Sequence, residues 1–389
     1  MYAAFPHALT FPILPEYLLK DVDPAGLRQS SYSNSPVGSG PFTFRLLQST
    51  NVGSNHQTIH LVRNENYYGG IAKLERVQLD VYSGHDDIIK ALATSEVSAA
   101  VDLSATDLAQ VSTARYDITR KPIDAGVYAL LNTTSPTLKD KAVRQALQLA
   151  TNTAAIRQAL GQGTPDLYLP FVNGQLHADV PSEPSYNLAV AKQLLNDDGW
   201  KIDAGVLKKD GQTLTLNVVT IKDNDFETTL QKIAGQWRQL GITVTTTVAD
   251  PTNVSDNVVQ SILQPRAFDV LIYQLNIGAD PDVYAYWHSS QANQLGFNFS
   301  NYGNALSDDA LSSARTVLQP ELRNAKYITF AKQWLADVPA IGLYQSTVQY
   351  VSTKGASTIQ NADTLVTPAD RYSDVLYWAV DQKTVFTTP

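Results

Sequence analysis

Residues 213–273 constrain the fold more than any other stretch, because apolar strands and amphipathic helices alternate there. The turn Asp210-Gly211 leads into a strand from 213, a helix covers 225–240 up to Gly241, and ITVTTTV (242–248) is a second strand. A helix over 254–264 and a third strand from Phe268 complete the run. Strands that alternate with helices of this length form α/β crossovers, with helices laid over a largely parallel sheet. The third strand (Phe268, Val270, Leu271, Ile272, Tyr273) ends in Gly278-Ala279-Asp280-Pro281-Asp282. Gly278 tolerates backbone angles that other residues avoid, and Pro281 pushes Asp280 out of helical geometry. An interior strand thus ends in a loop with two carboxylates, then Tyr284, Tyr286, Trp287 and His288, then Asn293, Gln294 and Asn298. Aromatics and amides at a strand end can wall a cleft for a polar organic ligand. The same residues also read as a turn followed by a helix packed into the core.

The rest of the chain fits the same class. Strands are expected at 42–48, 57–63, 75–82, 126–132 and 341–352, and helices at 85–97, 139–160, 186–200, 307–319 and 321–337, with an extended loop over 161–185. The 389 residues suffice for two or three domains, and 43% hydrophobic with 17% charged content describes a globular chain. A net charge of −8 without basic clusters argues against nucleic acid as a partner. With no cysteine there is no disulfide, thiol chemistry or cysteine zinc site. No apolar run reaches the length of a membrane span, and Pro6, Pro12 and Pro15 interrupt an opening that lacks the basic start of a signal peptide.

No catalytic constellation is visible. His56 and His60 lie on an expected strand, where a spacing of four residues means about 13 Å. HExxH and G-x-S-x-G motifs are absent, and His7, His85, His177 and His288 each stand alone in sequence. The chain is therefore read as a binder without cofactor or metal, not as an enzyme. Candidate ligand-binding residues are Gln274, Asn276, Asp280, Asp282, Tyr284, Trp287, His288 and Asn298. Each has a structural alternative: local backbone partners for the amides, turn chemistry for the aspartates, core packing for the aromatics and His288, a cap or turn for Asn298.

Seven segments in chain order resemble one family, the family 5 extracellular solute-binding proteins of peptide-type ABC transporters. They are PILPEYLL (12–19), SPVGSGPFTF (35–44, similar to the family's P-V-G-T-G-P-Y turn), LVRNENYYGGIAKLERVQL (61–79), LLNTTSPTLKDKAVRQALQLATN (130–152), YNLAVAKQLLNDDGW (186–200), GADPDVYAYWHSSQ (278–291) and NFSNYGNALSDDALSSAR (298–315). The resemblance implies an α/β, two-lobe fold of the type II periplasmic-binding-protein kind. Residues 1–125 and 346–389 would form lobe one and 126–345 lobe two, with hinge crossings near Gly126 and Tyr344. It further implies a chain lacking the family's N-terminal portion, so that lobe one is incomplete. The implied role is a monomeric, extracytoplasmic substrate-binding subunit, anchored to the membrane through an upstream segment, that captures a peptide or small polar solute for an ABC permease. A sensory or protein-interaction module on the same fold is the alternative. One departure matters: the family's peptide binders place an ammonium-holding aspartate four residues before the proline of this loop, and Ile277 occupies that position.

Overall fold

The computed structural model describes residues 2–49, 56–161, 163–253, 257–358 and 364–380. The chain divides into two compact units, one formed by Met1–Leu9 and Pro122–Thr347, the other by Thr10–Lys121 and Val348–Pro389.

The first unit is built on a mixed sheet. Its strands are β1 (Tyr116–Leu131), β2 (Thr215–Ile221), β3 (Thr243–Ala249), β4 (Val270–Asn276) and β5 (Ala340–Thr353), in the order β3-β2-β4-β1-β5. β3, β2 and β4 run parallel, and β4 pairs antiparallel with β1, Val270 opposite Leu131 and Asn276 opposite Ala125. Successive side chains of a strand point to opposite faces, and the two faces carry separate cores. Val127, Ala129, Leu131, Val270 and Ile272 pack with helices α1 (Lys141–Ala150), α2 (Thr153–Ala159), α3 (Leu188–Asp197) and α4 (Asn224–Arg238). Tyr128, Leu130, Leu271 and Leu275 pack with α5 (Ala305–Ala314) and α6 (Pro320–Asp337). The result is a three-layer α/β/α unit.

Side-chain caps set the helix starts. Asp140, Asn152, Asn187, Asp223 and Asn304 each accept from a backbone N–H of the helix that follows. Arg144, only 7% exposed, donates to the carbonyls of Asp337, Val338, Leu138 and Lys139, so α1 is stapled to the end of α6. Carbonyls at a helix C-terminus are unpaired and carry partial negative charge, which suits a buried guanidinium.

Three expectations need correction. The helix expected over 139–160 is two helices, because Thr151 is extended, Asn152 also leaves helical geometry, and Asn152 caps α2 by accepting from Ala155 N. The strand expected from Gly126 begins at Tyr116, since Arg120, Lys121 and Pro122 hide its first half from an apolar pattern. The helix expected over 254–264 is a five-residue π-helix, Val259–Leu263, and residues 254–256 lie outside the described residues.

The second unit carries an antiparallel sheet of Phe42–Ser49, Gln57–Arg63 and Arg76–Val81, with a bulge between Phe44 and Leu46 that breaks the expected alternation there. Thr50–Asn55, which join its first two strands, lie outside the described residues. Helix His85–Thr94 packs Leu92 with Leu103, Leu108, Val111, Tyr116 and Val351. Ala99–Ala100 pairs antiparallel with the end of β5.

Candidate functional site

In open α/β sheets, ligands collect outside the carboxyl ends of the parallel strands. Here that edge is formed by the ends of β2, β3 and β4: Ile221, Ala249 and Asn276. It lies beside Pro122–Ala125 of β1 and Tyr344–Thr347 of β5, the strand segments at which the first unit's chain enters and leaves.

At this edge β4 exposes polar groups. Gln274 is half-buried and Asn276 exposed. They lie on the face shared with Val270 and Ile272. Ser346 Oγ donates to Gln274 Oε1 at 2.8 Å, and Gln274 Nε2 donates to Asn276 Oδ1 at 3.0 Å. Tyr286 OH donates to the Asn276 carbonyl at 2.6 Å, and burial pushes the pKa of that phenol up. Gln345, 2% exposed, donates through Nε2 to the Ile123 carbonyl at 3.0 Å and accepts from Asn173 N at 3.3 Å, which ties β5 to β1. The N–H groups of Ile277 and Gly278 both donate to the Asp124 carbonyl at 2.9 Å. Ile277 itself packs in the core beneath α5 and α6.

The remaining candidates belong to the loop and its supports. Asp280 accepts two hydrogen bonds from Arg323, at 2.6 and 2.5 Å. Asp282 accepts from Arg315 Nε and from Tyr2 OH, each at 2.9 Å. Both carboxylates are spent on holding the loop to α5 and α6. Tyr284 is stacked on His288 with ring centroids 4.1 Å apart, lies 4.4 Å from the Arg315 guanidinium, and pairs through its hydroxyl with Ser290 Oγ at 3.2 Å. His288 Nδ1 accepts from Ser290 N at 3.0 Å, which places the ring proton on Nε2, 3.2 Å from Ser312 Oγ. Trp287 is 0% exposed and stands edge-on to Trp334 and Tyr128 at 5.4 and 6.0 Å, so no ring face is left for a ligand. Asn298, also 0% exposed, donates to the carbonyls of His288 and Tyr302 and accepts from Tyr302 N. Its amide is fully occupied as a loop brace. The structure therefore gathers Gln274 and Asn276 at the edge and places the other six candidates in the loop and its packing.

Tyr286, Ser346 and Gln345 belong to the edge and were not among the candidates. Tyr286 sits inside an aromatic run whose members look alike in sequence. Ser346 and Gln345 lie about seventy residues further along, so no local spacing marks them.

A concavity of about 400 Å³ opens at the opposite, amino-terminal edge of the sheet, lined by Asn132, Thr134, Ser135, Asn217 and Asp269 among others. Its polar groups satisfy one another: Asp269 accepts from Ser135 Oγ and from Asn217 N, and Asn132 accepts from Thr134 Oγ1 and Asn301 Nδ2. It is a braced turn. Among the described residues no group of three His, Asp or Glu is arranged to hold a metal. His56 pairs with Asp80 and stacks on Tyr82, while His60 faces Gln48. No helix among the described residues is long and apolar enough to cross a membrane.

A three-layer α/β unit entered and left through two long strands, with polar groups gathered where they cross, is the architecture of the two-lobed type II periplasmic binding proteins. Comparison with known proteins gives the family: residues 3–296 match the bacterial extracellular solute-binding proteins, family 5, and the chain belongs to that family. The oligopeptide-binding protein AppA of Bacillus subtilis is 27% identical over 345 residues, covering 85% of this chain and 61% of that protein, so the chain spans about three fifths of this relative's length. The structure of Bacillus subtilis AppA in complex with a nonapeptide superposes with a TM-score of 0.76 at 24% identity, covering 97% of this chain and 74% of that one. NikZ of Campylobacter jejuni in complex with Ni(L-His) superposes with a TM-score of 0.78 at 22% identity, covering 97% and 75%.

Proposed function

We propose that this chain is the solute-capturing subunit of an ABC importer, acting outside the cytoplasm, and that its ligand, a short peptide or another small polar solute, is held at the carboxyl edge of the first unit's sheet. One observation carries the reading. Gln274, Asn276 and Ser346 are linked there by side-chain hydrogen bonds, with Tyr286 OH holding the Asn276 carbonyl, while Asp280 and Asp282 of the following loop are consumed by arginines. Family membership supports capture rather than catalysis, and the complexes of AppA and NikZ make a peptide and a small chelate both reasonable ligand classes. The segments in which β1 and β5 pass between the units would serve as hinge, since a few backbone angles at element ends can absorb closure. A ligand that gains contacts only in the closed state would then favour the form presented to the permease.

Native mass spectrometry of the chain before and after incubation with a pool of short peptides tests this. Retained adducts that disappear in Gln274→Ala and Tyr286→Ala are expected. Adducts that survive both substitutions would move the site elsewhere, and no adduct with any peptide would remove peptides as the ligand class.

A further inference from the structure

The edge is polarised as well as polar, and the polarity selects a ligand group. Ser346 is 7% exposed, and its hydroxyl donates to Gln274 Oε1 at 2.8 Å. The Gln274 amide nitrogen faces the other way and donates to Asn276 Oδ1 at 3.0 Å. The acceptor end of Asn276 is used, and an asparagine amide has only two N–H donors left. Those donors belong to an exposed side chain, and Nδ2 has no partner among the described residues. The backbone beneath is fixed too, since Tyr286 OH holds the Asn276 carbonyl at 2.6 Å. The relay runs from hydroxyl to amide to amide and ends in uncharged donors.

The charges of the following loop do not compete. Asp280 and Asp282 are neutralised by Arg323 and Arg315, and Ile277 is buried. Resting on the solute-binding reading above, we propose that Asn276 Nδ2 anchors an oxygen acceptor of the ligand, a carbonyl or a carboxylate, and that a ligand ammonium is not a recognition element. Ser346 is a positioning residue: it touches no ligand and sets which end of each amide faces outward.

The probe is a pentapeptide pool in three forms, free, N-acetylated and C-amidated, scored by native mass spectrometry on the full chain, with circular dichroism to confirm that each variant is folded. Free and N-acetylated peptides should be retained within about twofold of each other. Asn276→Asp, which keeps the shape and replaces donors by acceptors, should weaken retention about tenfold, the size of one net hydrogen bond. Ser346→Ala should weaken it less, and Ser346→Thr, which keeps the hydroxyl, should restore it. A loss on C-amidation identifies the oxygen as a terminal carboxylate, and no loss identifies it as a carbonyl. Retention that vanishes on N-acetylation, or that is unchanged or tighter in Asn276→Asp, would overturn the inference and leave the solute-binding reading intact. Retention of no form by the unaltered chain would overturn the inference and remove peptides as the ligand class.

Discussion

The end of β4 and the loop that follows it are neighbours in the chain and use polar chemistry in opposite ways. In the loop, Asp280, Asp282, His288 and Asn298 each have their hydrogen-bonding capacity taken up by the protein. At the strand end, Gln274 and Asn276 form a chain whose last donors are unspent. The groups that look most reactive in sequence are the ones that hold the fold together, and the quieter amides are left for a ligand. The reason is energetic. A carboxylate enclosed by protein must be paired, because its desolvation is costly, whereas a primary amide at an edge can stay half-satisfied by water.

The largest effect that sharpens this contrast should come from Trp287. Removing a fully enclosed indole leaves a cavity, and Trp287→Ala should cost about 3–5 kcal/mol of stability. The indole Nε1 has no hydrogen-bond partner among the described residues, so Trp287→Phe should cost far less. Urea unfolding measures both. A Trp287→Ala chain of unchanged stability that no longer retained ligand would break the comparison, because it would return the loop aromatics to the binding surface.

A smaller effect is expected at the Arg323–Asp280 pair. Their side chains are 13% and 10% exposed, so losing one partner strands the other in a poorly hydrated place. Arg323→Met alone should destabilise by about 3 kcal/mol, the low end for enclosed pairs. Adding Asp280→Leu should recover most of that, since a well-packed apolar pair can replace an enclosed ion pair. The double-mutant cycle reads the coupling. Ligand retention by the double variant should match the unaltered chain, and a specific loss of retention would make Asp280 a ligand contact after all.

How much of this was legible beforehand depends on the range of the interaction. The β2–α4–β3 run shows in sequence because its periodicity is local, and Asp223 and Gly241 punctuate α4. The break between α1 and α2 does not show, because Thr151 and Asn152 fit a helical pattern until Asn152 is seen capping Ala155 N. The first half of β1 is hidden by Arg120, Lys121 and Pro122. Trp287 and Tyr286 are one residue apart on a single helical turn, yet one is enclosed and the other reaches the Asn276 carbonyl. Only the packing of α5 and α6 separates them. Ser346 could not be paired with Gln274 without the fold, because the two meet across the sheet from positions 72 apart.

The smallest expected effect concerns acid. Asp337, at the end of α6, accepts from Gln333 Nε2 at 2.8 Å, Lys141 Nζ at 3.0 Å, Tyr302 OH at 2.9 Å and Asn304 Nδ2 at 2.9 Å. Burial pushes its pKa up, but the hydrogen bonds from Gln333, Lys141 and Tyr302 outweigh it, and the carboxyl is held below its ordinary value. A depressed folded-state pKa means that the unfolded chain takes up the proton first as pH falls. The contribution of Asp337 is therefore complete above about pH 4 to 5 and is lost as pH drops through its folded-state value. Thermal midpoints measured from pH 6 to pH 3 should fall more steeply for the unaltered chain than for Asp337→Asn, in which this part of the acid limb is missing. Gln274, Asn276 and Ser346 do not titrate, so down to about pH 5, where peptide carboxyls are still ionised, retention of N-acetylated peptides should stay level. Retention that fell over that range in parallel with protonation of a carboxylate would show that the binding edge also depends on a charge, and the division between a charged scaffold and an uncharged ligand surface would not hold.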